Sequence, residues 1–301
     1  MRLRISLPWV LVVALGSTLA QSNAFAVNTV PDLGDAAAYA VLAFQNTGAD
    51  APDLSLTATS TITGDAGVGP TAGSYTHSAG ASVSGSVKLA AGTTGDTSDA
   101  NVVQPFDLSS AITDALAAAT AIGGLTPTQV FGDITGGTGT ISGGSPDNIN
   151  VISATKIALS GSDSLTLSGD ADDYFIFVLS DSLVASGSSH IDVSGGVVGS
   201  HVLYFVSKNA PGSDVIDITG LGTLDGTLFA PKGDIKLHGV LQNGALIGND
   251  VNLGSGGKLS YLPFTPPGEE PPPPVIPEPS SLLLMGTGLV AVGFRSRRKT
   301  A

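Results

Sequence analysis

Three aspartates in one short stretch are the residues whose types and spacing best suit metal chemistry. Asp170, Asp172 and Asp173 place three carboxylates within four residues, and calcium prefers carboxylate oxygens as ligands. A solvated turn has the same composition, because aspartate is common in turns. No arginine lies between residues 27 and 268 to act beside such a cluster. The pattern therefore favours a solvated acidic turn, with a weak calcium site as the alternative.

The other residue types that support catalysis do not occur in catalytic spacings. The four histidines show no His-x-x-x-His spacing, which argues against zinc; they are His77, His190, His201 and His238. The glycine-rich stretch 254–259 lacks the Ser or Thr that a phosphate loop has after its lysine. The chain contains neither a Gly-x-Ser-x-Gly sequence nor a cysteine. We therefore predict no catalytic residue, no cofactor and a protein that is not an enzyme.

The charge balance excludes nucleic acid as a partner. The 301 residues carry 25 acidic and 12 basic side chains, a net charge of −13. Between residues 27 and 268, six lysines are set against 22 aspartates, a net charge of −16, and so acidic a surface repels phosphate backbones. Glutamate is absent there, and a stretch rich in Asp, Gly, Ser and Thr predicts little helix. Hydrophobic residues make up 42% of the chain, which is enough for a folded core.

Residues 1–26 have the features of a secretory signal peptide. Arg2 and Arg4 precede an apolar run, and Ala24-Phe25-Ala26 supplies the small residues that signal peptidase requires. We predict cleavage by signal peptidase after Ala26, and therefore export.

The other end of the chain is predicted to be a linker followed by a short apolar segment. Residues 265–279 are rich in proline, which favours an extended, semi-rigid spacer. Residues 280–301 contain an apolar run and a basic tail. The run is short for a permanent membrane span, which needs about 20 apolar residues.

This C-terminal segment resembles the PEP-CTERM sorting signal of Gram-negative bacteria. A Pro-Glu-Pro motif, an apolar stretch and an arginine cluster follow one another; the motif residues are Pro277, Glu278, Pro279, Arg295, Arg297 and Arg298. The resemblance implies transient membrane association through the segment and processing by an exosortase. It also implies delivery to the cell surface or extracellular matrix of a Gram-negative bacterium.

Between these two ends, short strands repeat with glycine between them, as in a sandwich or a solenoid. Residues 226–237 align with residues 244–253 at a step of 18 residues, with a two-residue gap. One such step corresponds to one coil of a β-helix. The spacing therefore favours a solenoid.

The strands are of two kinds, and the difference predicts what covers them. Residues 164–168 and 215–219 alternate between apolar and polar, so that one face is buried and the other is wet. Residues 174–179 and 202–206 are apolar throughout, so both of their faces need cover. The interior of the solenoid covers one face, and another element must cover the other.

A single strong helix signal provides that element. The alanine-rich stretch 109–122 ends at two glycines and has high helix propensity. Ile112, Leu116 and Ala119 lie on one stripe of this helix. We predict that this stripe packs on the fully apolar strands.

Three stretches resemble the bacterial ice-binding-protein-like family of β-solenoids, namely residues 33–43, 62–70 and 157–206. The coils at 226–253 are also similar to surface proteins with interchangeable C-terminal anchors. The resemblance covers about residues 33–264. It implies a right-handed β-helix (solenoid), all-β with a single α-helix packed alongside, and we take residues 27–264 as one domain.

The family resemblance also implies a ligand face. In that family, a flat solenoid face with small hydroxyl and methyl groups is thought to hold water in an ice-like arrangement. Two rows are the counterparts here: Ser55, Thr57, Thr59, Thr61 and Thr63, and then Ser164, Thr166 and Ser168. The first row points outward if its apolar neighbours point inward. Threonine also suits any exposed strand, so an ordinary solvent-facing surface remains the alternative.

These features predict an exported cell-surface protein that binds ice or another extended surface, such as exopolysaccharide. The alternative is an adhesin or structural spacer of a biofilm or extracellular matrix, without ice activity. A polysaccharide-acting enzyme is the third candidate, because some right-handed β-helices are lyases with acidic clusters. An aromatic content of 5% argues against a stacking carbohydrate cleft.

Overall fold

The computed structural model describes residues 28–45, 51–70, 72–96, 101–220 and 222–267. These residues form a β-solenoid in which neighbouring coils pair through parallel strands. The predicted signal peptide, 1–26, and the sorting segment after residue 268 lie outside the described residues.

The solenoid has three sides, and its largest sheet bends to form two of them. That sheet has 17 strands. Its two longest strands, β13 (Ile149–Leu159) and β15 (Tyr174–Ser186), contribute one half to each side. Their register shifts between Ala154 and Lys156, which marks the corner. Sheets of three and five strands form the third side.

Each side is named for what its outer surface carries. The helix side contains the first halves of β13 and β15 together with β1 (Val41–Ala43), β4 (Ala66–Val68), β7 (Val87–Leu89), β9 (Val102–Val103), β10 (Gln129–Val130), β17 (Val202–Val206), β20 (Thr227–Ala230) and β23 (Leu246–Gly248). The charged side contains the second halves of β13 and β15 together with β2 (Asp53–Leu56), β5 (Ser74–His77), β8 (Thr94–Gly95), β11 (Asp133–Thr135), β18 (Asp214–Thr219), β21 (Asp234–His238) and β24 (Val251–Leu253). The hydroxyl side contains β3 (Thr61–Thr63), β6 (Ser82–Val83), β12 (Thr138–Ser142), β14 (Ser164–Ser168), β16 (His190–Ser194), β19 (Thr223–Asp225), β22 (Leu241–Gly244) and β25 (Lys258–Tyr261).

The chain does not wind continuously from one end of the solenoid to the other. The coils of residues 41–95 come first, then the helix α1 (Ser109–Gly123), and the coils that start at β10 begin at the far end. The last coil meets the first, because β23 pairs with β1, β24 with β2 and β25 with β3. The first and last coils therefore lie next to each other inside the stack.

The strand register confirms the predicted repeat. Leu228 pairs with Leu246, a step of 18 residues, on the helix side. Ile235 pairs with Val251, a step of 16 residues, on the charged side. The difference between the two steps is the two-residue gap in the sequence alignment.

Two apolar clusters hold the fold together. One fills the interior of the solenoid, where the rings of Phe177 and Tyr204 stack with centroids 5.0 Å apart. The other lies outside the helix side, where Ile176 and Leu203 pack against α1. The strands that are apolar throughout are thus covered on both faces, as predicted. Both clusters lie within residues 33–264, which therefore contain the packing that holds the domain.

The helix covers the predicted strands with a different stripe from the one predicted. Ala111, Ala115, Ala118 and Ile122 are buried, whereas the predicted stripe of Ile112, Leu116 and Ala119 is partly buried at the flank. Alanine side chains allow the helix backbone to approach the sheet closely, which bulkier side chains at the same positions would prevent. The periodicity indicated the helix correctly, but side-chain size determined its rotation.

The aspartates explain their own abundance by joining successive coils. Asp53 accepts the backbone N–H of Ser74 at 2.9 Å, and Asp65 accepts that of Ser86 at 2.8 Å. Asp250 accepts the N–H of Asp53 at 2.8 Å. A short acidic side chain satisfies backbone donors at the corners, where strand pairing is interrupted.

Among the residues that the structure describes, none belongs to a helix long and apolar enough to cross a membrane.

Candidate binding surface

Two of the three sides present open sheet surfaces within the described residues. The helix side is covered by α1. The outward side chains of the charged side and of the hydroxyl side are half-buried or exposed, in alternation with buried inward ones. A flat surface for a large ligand is therefore available on either of these two sides.

Ion pairs between coils cross the charged side. The ammonium of Lys156 lies 3.3 Å from the carboxylate of Asp133. Lys236 lies 3.4 Å from Asp214 and 3.9 Å from Asp217. These long side chains interrupt the flat sheet and hydrate strongly, so the middle of this side is irregular in both shape and charge.

The hydroxyl side contains an uncharged array on two neighbouring strands, which we call the hydroxyl surface. Its members are the outward side chains Thr138, Thr140, Ser142, Ser164, Thr166 and Ser168. Thr138 pairs with Ser164, Thr140 with Thr166, and Ser142 with Ser168. Successive hydroxyls are spaced by about 6.8 Å along each strand and by about 4.8 Å between strands.

The positions between these hydroxyls hold the array in place. Ile141, Leu165 and Leu167 point inward and are buried in the solenoid core. Because side chains alternate along a strand, burial of these residues forces the hydroxyls outward. No side chain of the hydroxyl surface is longer than threonine, so the surface is flat.

The next strand, β16, bounds the hydroxyl surface. His190 pairs in register with Ser164, and Asp192 with Thr166. The Nε2 atom of His190 lies 3.6 Å from the carboxylate of Asp192. The array of hydroxyls thus ends at a polar pair that can carry charge.

The structure separates the first predicted row onto two sides. Ser55 and Thr57 lie on the charged side, in or just after β2, whereas Thr61 and Thr63 lie on the hydroxyl side, in β3. Thr59 lies in the turn between them. All five side chains are half-buried or exposed, and Leu54, Leu56 and Ile62 are buried as expected. The expectation that the five form one flat row is wrong, because the chain turns a corner.

That corner contains neither glycine nor proline. Ala58 takes a positive φ of 49° in the turn, a conformation that usually favours glycine. The alternation of hydroxyl residues continues through the turn, so the sequence contains no sign of it.

The aspartate cluster is not arranged for a metal ion. Asp173 is only 5% exposed, and its carboxylate accepts the N–H of Asp170 at 2.8 Å and the amide of Asn150 at 3.1 Å. Asp170 and Asp172 are exposed. Within the described ranges, no three metal-ligating side chains come together. The alternative of a calcium site at these residues is therefore corrected to a turn that Asp173 closes from inside.

The four histidines lie apart and have individual packing roles. The ring of His201 stacks on Tyr174 with centroids 4.0 Å apart, and burial lowers the pKa of His201. His77 lies 3.3 Å from Asp96 near the end of the solenoid. His238 packs against the backbone of Gly254.

Sequence reasoning missed half of the hydroxyl surface. It named the row on β14 but not its partner on β12, where Thr138, Thr140 and Ser142 are separated by Gly139 and Ile141. Glycine at an inward position weakens the apolar alternation that reveals a strand. The Thr-x-Thr-x-Ser spacing was the available signal.

Comparisons with known proteins agree with this fold. A family model described as ice-binding-like matches residues 51–255, and a PEP-CTERM protein-sorting motif matches residues 275–299. No curated protein matches the chain.

Solved structures with a similar fold are ice-binding proteins by their titles. One is from an Antarctic Flavobacteriaceae bacterium, with a TM-score of 0.55 and 21% identity over 79% of this chain and 48% of that one. Another is from the Antarctic ascomycete Antarctomyces psychrotrophicus, with a TM-score of 0.51 and 22% identity over 77% and 98%. A third is a domain of Shewanella frigidimarina ice-binding protein 1, with a TM-score of 0.52 and 19% identity over 78% and 100%. The chain thus spans about half the length of the first protein and nearly all of the other two.

Proposed function

Because the chain belongs to the ice-binding-like family, we propose that it binds ice, or a similarly ordered extended surface, through the hydroxyl surface. The observation that carries this proposal is the register of β12 and β14. It places six small hydroxyl groups in a regular array that contains no charge.

The chemistry of this array suits an ordered layer of water. Each hydroxyl donates one hydrogen bond and accepts two, so it can occupy the place of a water molecule in a lattice. The sheet fixes the spacing of the hydroxyls before binding, which reduces the ordering needed when the ligand arrives. A charged side chain would instead orient water around itself, as on the charged side.

The protein acts, in this proposal, outside the cell. The PEP-CTERM motif at residues 275–299 indicates export and sorting to the surface. We assign the apolar segment that follows to transient membrane association and the cut to an exosortase of a Gram-negative host. The binding domain of residues 27–264 would then be delivered to the cell surface or its matrix.

Bulky substitutions on two sides test the proposal. Thr140→Tyr combined with Thr166→Tyr places two rings on paired positions of the hydroxyl surface. Tyrosine keeps strand propensity, so the domain should fold normally. Ice recrystallisation inhibition and thermal hysteresis of residues 27–268 should be lost, while the melting temperature stays nearly constant.

The matched control places the same pair of rings on the charged side. Ser55 and Thr76 are also paired neighbours on adjacent strands, so Ser55→Tyr with Thr76→Tyr should leave ice activity intact. Loss of activity in the control alone would move the ice face to the charged side. An inactive wild-type domain at high concentration would overturn ice binding altogether.

The charged side favours a second candidate function, attachment to a matrix or exopolysaccharide. Its side chains include Asp217 and Lys236, which lie on neighbouring strands. Attachment through them should weaken in high salt, because exposed charges are screened within about 10 Å at 0.1 M salt. Ice binding through hydroxyls should not weaken in this way. We propose no catalytic activity for either surface.

A further inference from the structure

The first coil of the second half of the chain forms an open end of the solenoid. Its strands β10, β11 and β12 pair on one side only, with β13 and β14. Val130 is 75% exposed and Phe131 is 40% exposed at this end. Within the described residues, no segment covers it.

The free edge of β12 carries backbone groups in a regular row. Gly143 donates its N–H to Ser168, and Gly137 accepts the N–H of Ser164, so these residues point toward β14. Because backbone groups alternate along a strand, the N–H and C=O groups of Thr138, Thr140 and Ser142 point to the open side. Such an edge is a template for another strand.

The devices that usually protect an edge are missing here. Charged residues, proline and bulges normally block pairing between edge strands. Strand β12 is regular and contains neither a charge nor a proline, and no charged residue occurs from 134 to 146. In a chain with a net charge of −13, this uncharged end is where two copies can approach with the least repulsion.

The edge is complementary to itself. In an antiparallel pair centred on Thr140, Thr138 of one copy lies opposite Ser142 of the other, so every outward pair consists of hydroxyl residues. Gly139 then lies opposite Ile141, a small residue against a large one. Cross-strand Thr and Ser pairs stabilise such a sheet, and pairing would also cover the exposed Phe131.

We propose that two copies of this chain join through β12 about a two-fold axis at Thr140. The two hydroxyl surfaces then form one continuous sheet across the axis, in the order β16-β14-β12-β12-β14-β16. Self-association follows from the edge alone. Its use, a doubled area for the ligand, rests on the proposed function.

A single introduced cysteine tests the position of the axis, because the chain has no cysteine of its own. Cα atoms of a hydrogen-bonded antiparallel pair lie about 5.5 Å apart, within reach of a disulfide. Thr140→Cys should therefore form a disulfide-linked dimer under mild oxidation. Thr166→Cys, one strand further from the axis in each copy, should remain unlinked.

Charge at the same two positions tests the association itself. Sedimentation equilibrium of residues 27–268 should give a dimer. Thr140→Lys, which places like charges opposite each other, should raise its dissociation constant by roughly tenfold or more. Thr166→Lys removes a hydroxyl from the same surface but lies off the edge, so it should dimerise like the wild type.

The outcomes separate this proposal from ice binding. A wild-type domain that stays monomeric at all concentrations, or a Thr140→Lys variant that still dimerises, overturns the dimer. A different protein strand captured on β12 by a monomeric domain also overturns it. A dimer without ice activity contradicts only the proposed function, and an active monomer contradicts only the dimer.

Discussion

The carboxylate of Asp65 lies 2.8 Å from the ammonium of Lys88, one coil further along the solenoid. The same ammonium lies over the rings of Tyr39 and Phe106, at 4.9 and 5.0 Å from their centroids. One lysine thus connects a corner of one coil, the start of the domain and the segment that leads into α1. The contact is one of several in which a lysine pairs with an aspartate of the preceding coil.

This pair predicts a loss of stability in acid. The hydrogen bond from Lys88 lowers the pKa of Asp65 below its usual value, and the N–H of Ser86 lowers it further against an opposing effect of burial. A carboxyl with a depressed folded-state pKa stabilises the fold above its unfolded pKa, and this stabilisation is lost as the pH falls through the folded value. The melting temperature should therefore fall below about pH 4.

The variant Asp65→Asn isolates this contribution. It should melt below the wild type at pH 7, and the difference should shrink as the pH falls, because the wild type loses the same interaction. Thermal melts from pH 7 to pH 3 measure this. The exposed Asp172→Asn serves as the control and should follow the wild type throughout. A constant difference across the range would contradict the assignment.

The packing of α1 predicts unequal effects at two adjacent positions. Ala115 is fully buried against the helix side, whereas Leu116 lies at the partly buried flank. Ala115→Asp should destabilise the domain by about 2–4 kcal/mol, because it buries a charge without a partner. Leu116→Asp should lower stability by only about 1 kcal/mol, because its carboxylate can reach water. Denaturant unfolding compares the two, and an equal or reversed order would contradict the observed rotation of the helix.

The sequence was informative where burial determines residue type. Tyr174 to Leu179 and Val202 to Val206 needed cover on both faces, and only one stretch could form a covering helix. The repeat between Leu228 and Leu246 was legible because the coils there are short and equal. These signals depend on periodicity, which one chain displays without any partner.

The sequence was uninformative where register or corners decide. Thr140 and Thr166 are paired across a coil of 26 residues, unlike the later step of 18, so no fixed period connects them. The corner at Ala58 has no glycine or proline to mark it. Asp173 has the composition of a solvated turn, yet its carboxylate faces inward, because neighbouring backbone donors need an acceptor.

That inward carboxylate predicts a structural role without calcium. Asp173→Ala removes the acceptor for Asp170 N–H and for the buried amide of Asn150. Leaving buried donors unpaired should destabilise the domain by about 1–3 kcal/mol. Asp172→Ala, on the exposed neighbour, should change stability by less than about 0.5 kcal/mol. Both are measured by denaturant unfolding. A rise in melting temperature of the wild type with added calcium would contradict this role, since a ligand of the folded state stabilises it.

The path of the chain predicts that removal of the tail leaves the domain unchanged. Strand β25 lies between β22 and β3, Phe264 is buried, and Thr265 donates its N–H to Ser200. The chain therefore leaves the solenoid from an interior coil, and a cut near Pro277-Glu278-Pro279 exposes no strand edge. Protein exported by a host with an exosortase should have an intact mass that ends near this motif. Its melting temperature should equal that of residues 27–268, which serve as the control. Retention of Arg295 and the residues after it in the exported protein would indicate a permanent anchor instead of a processing signal.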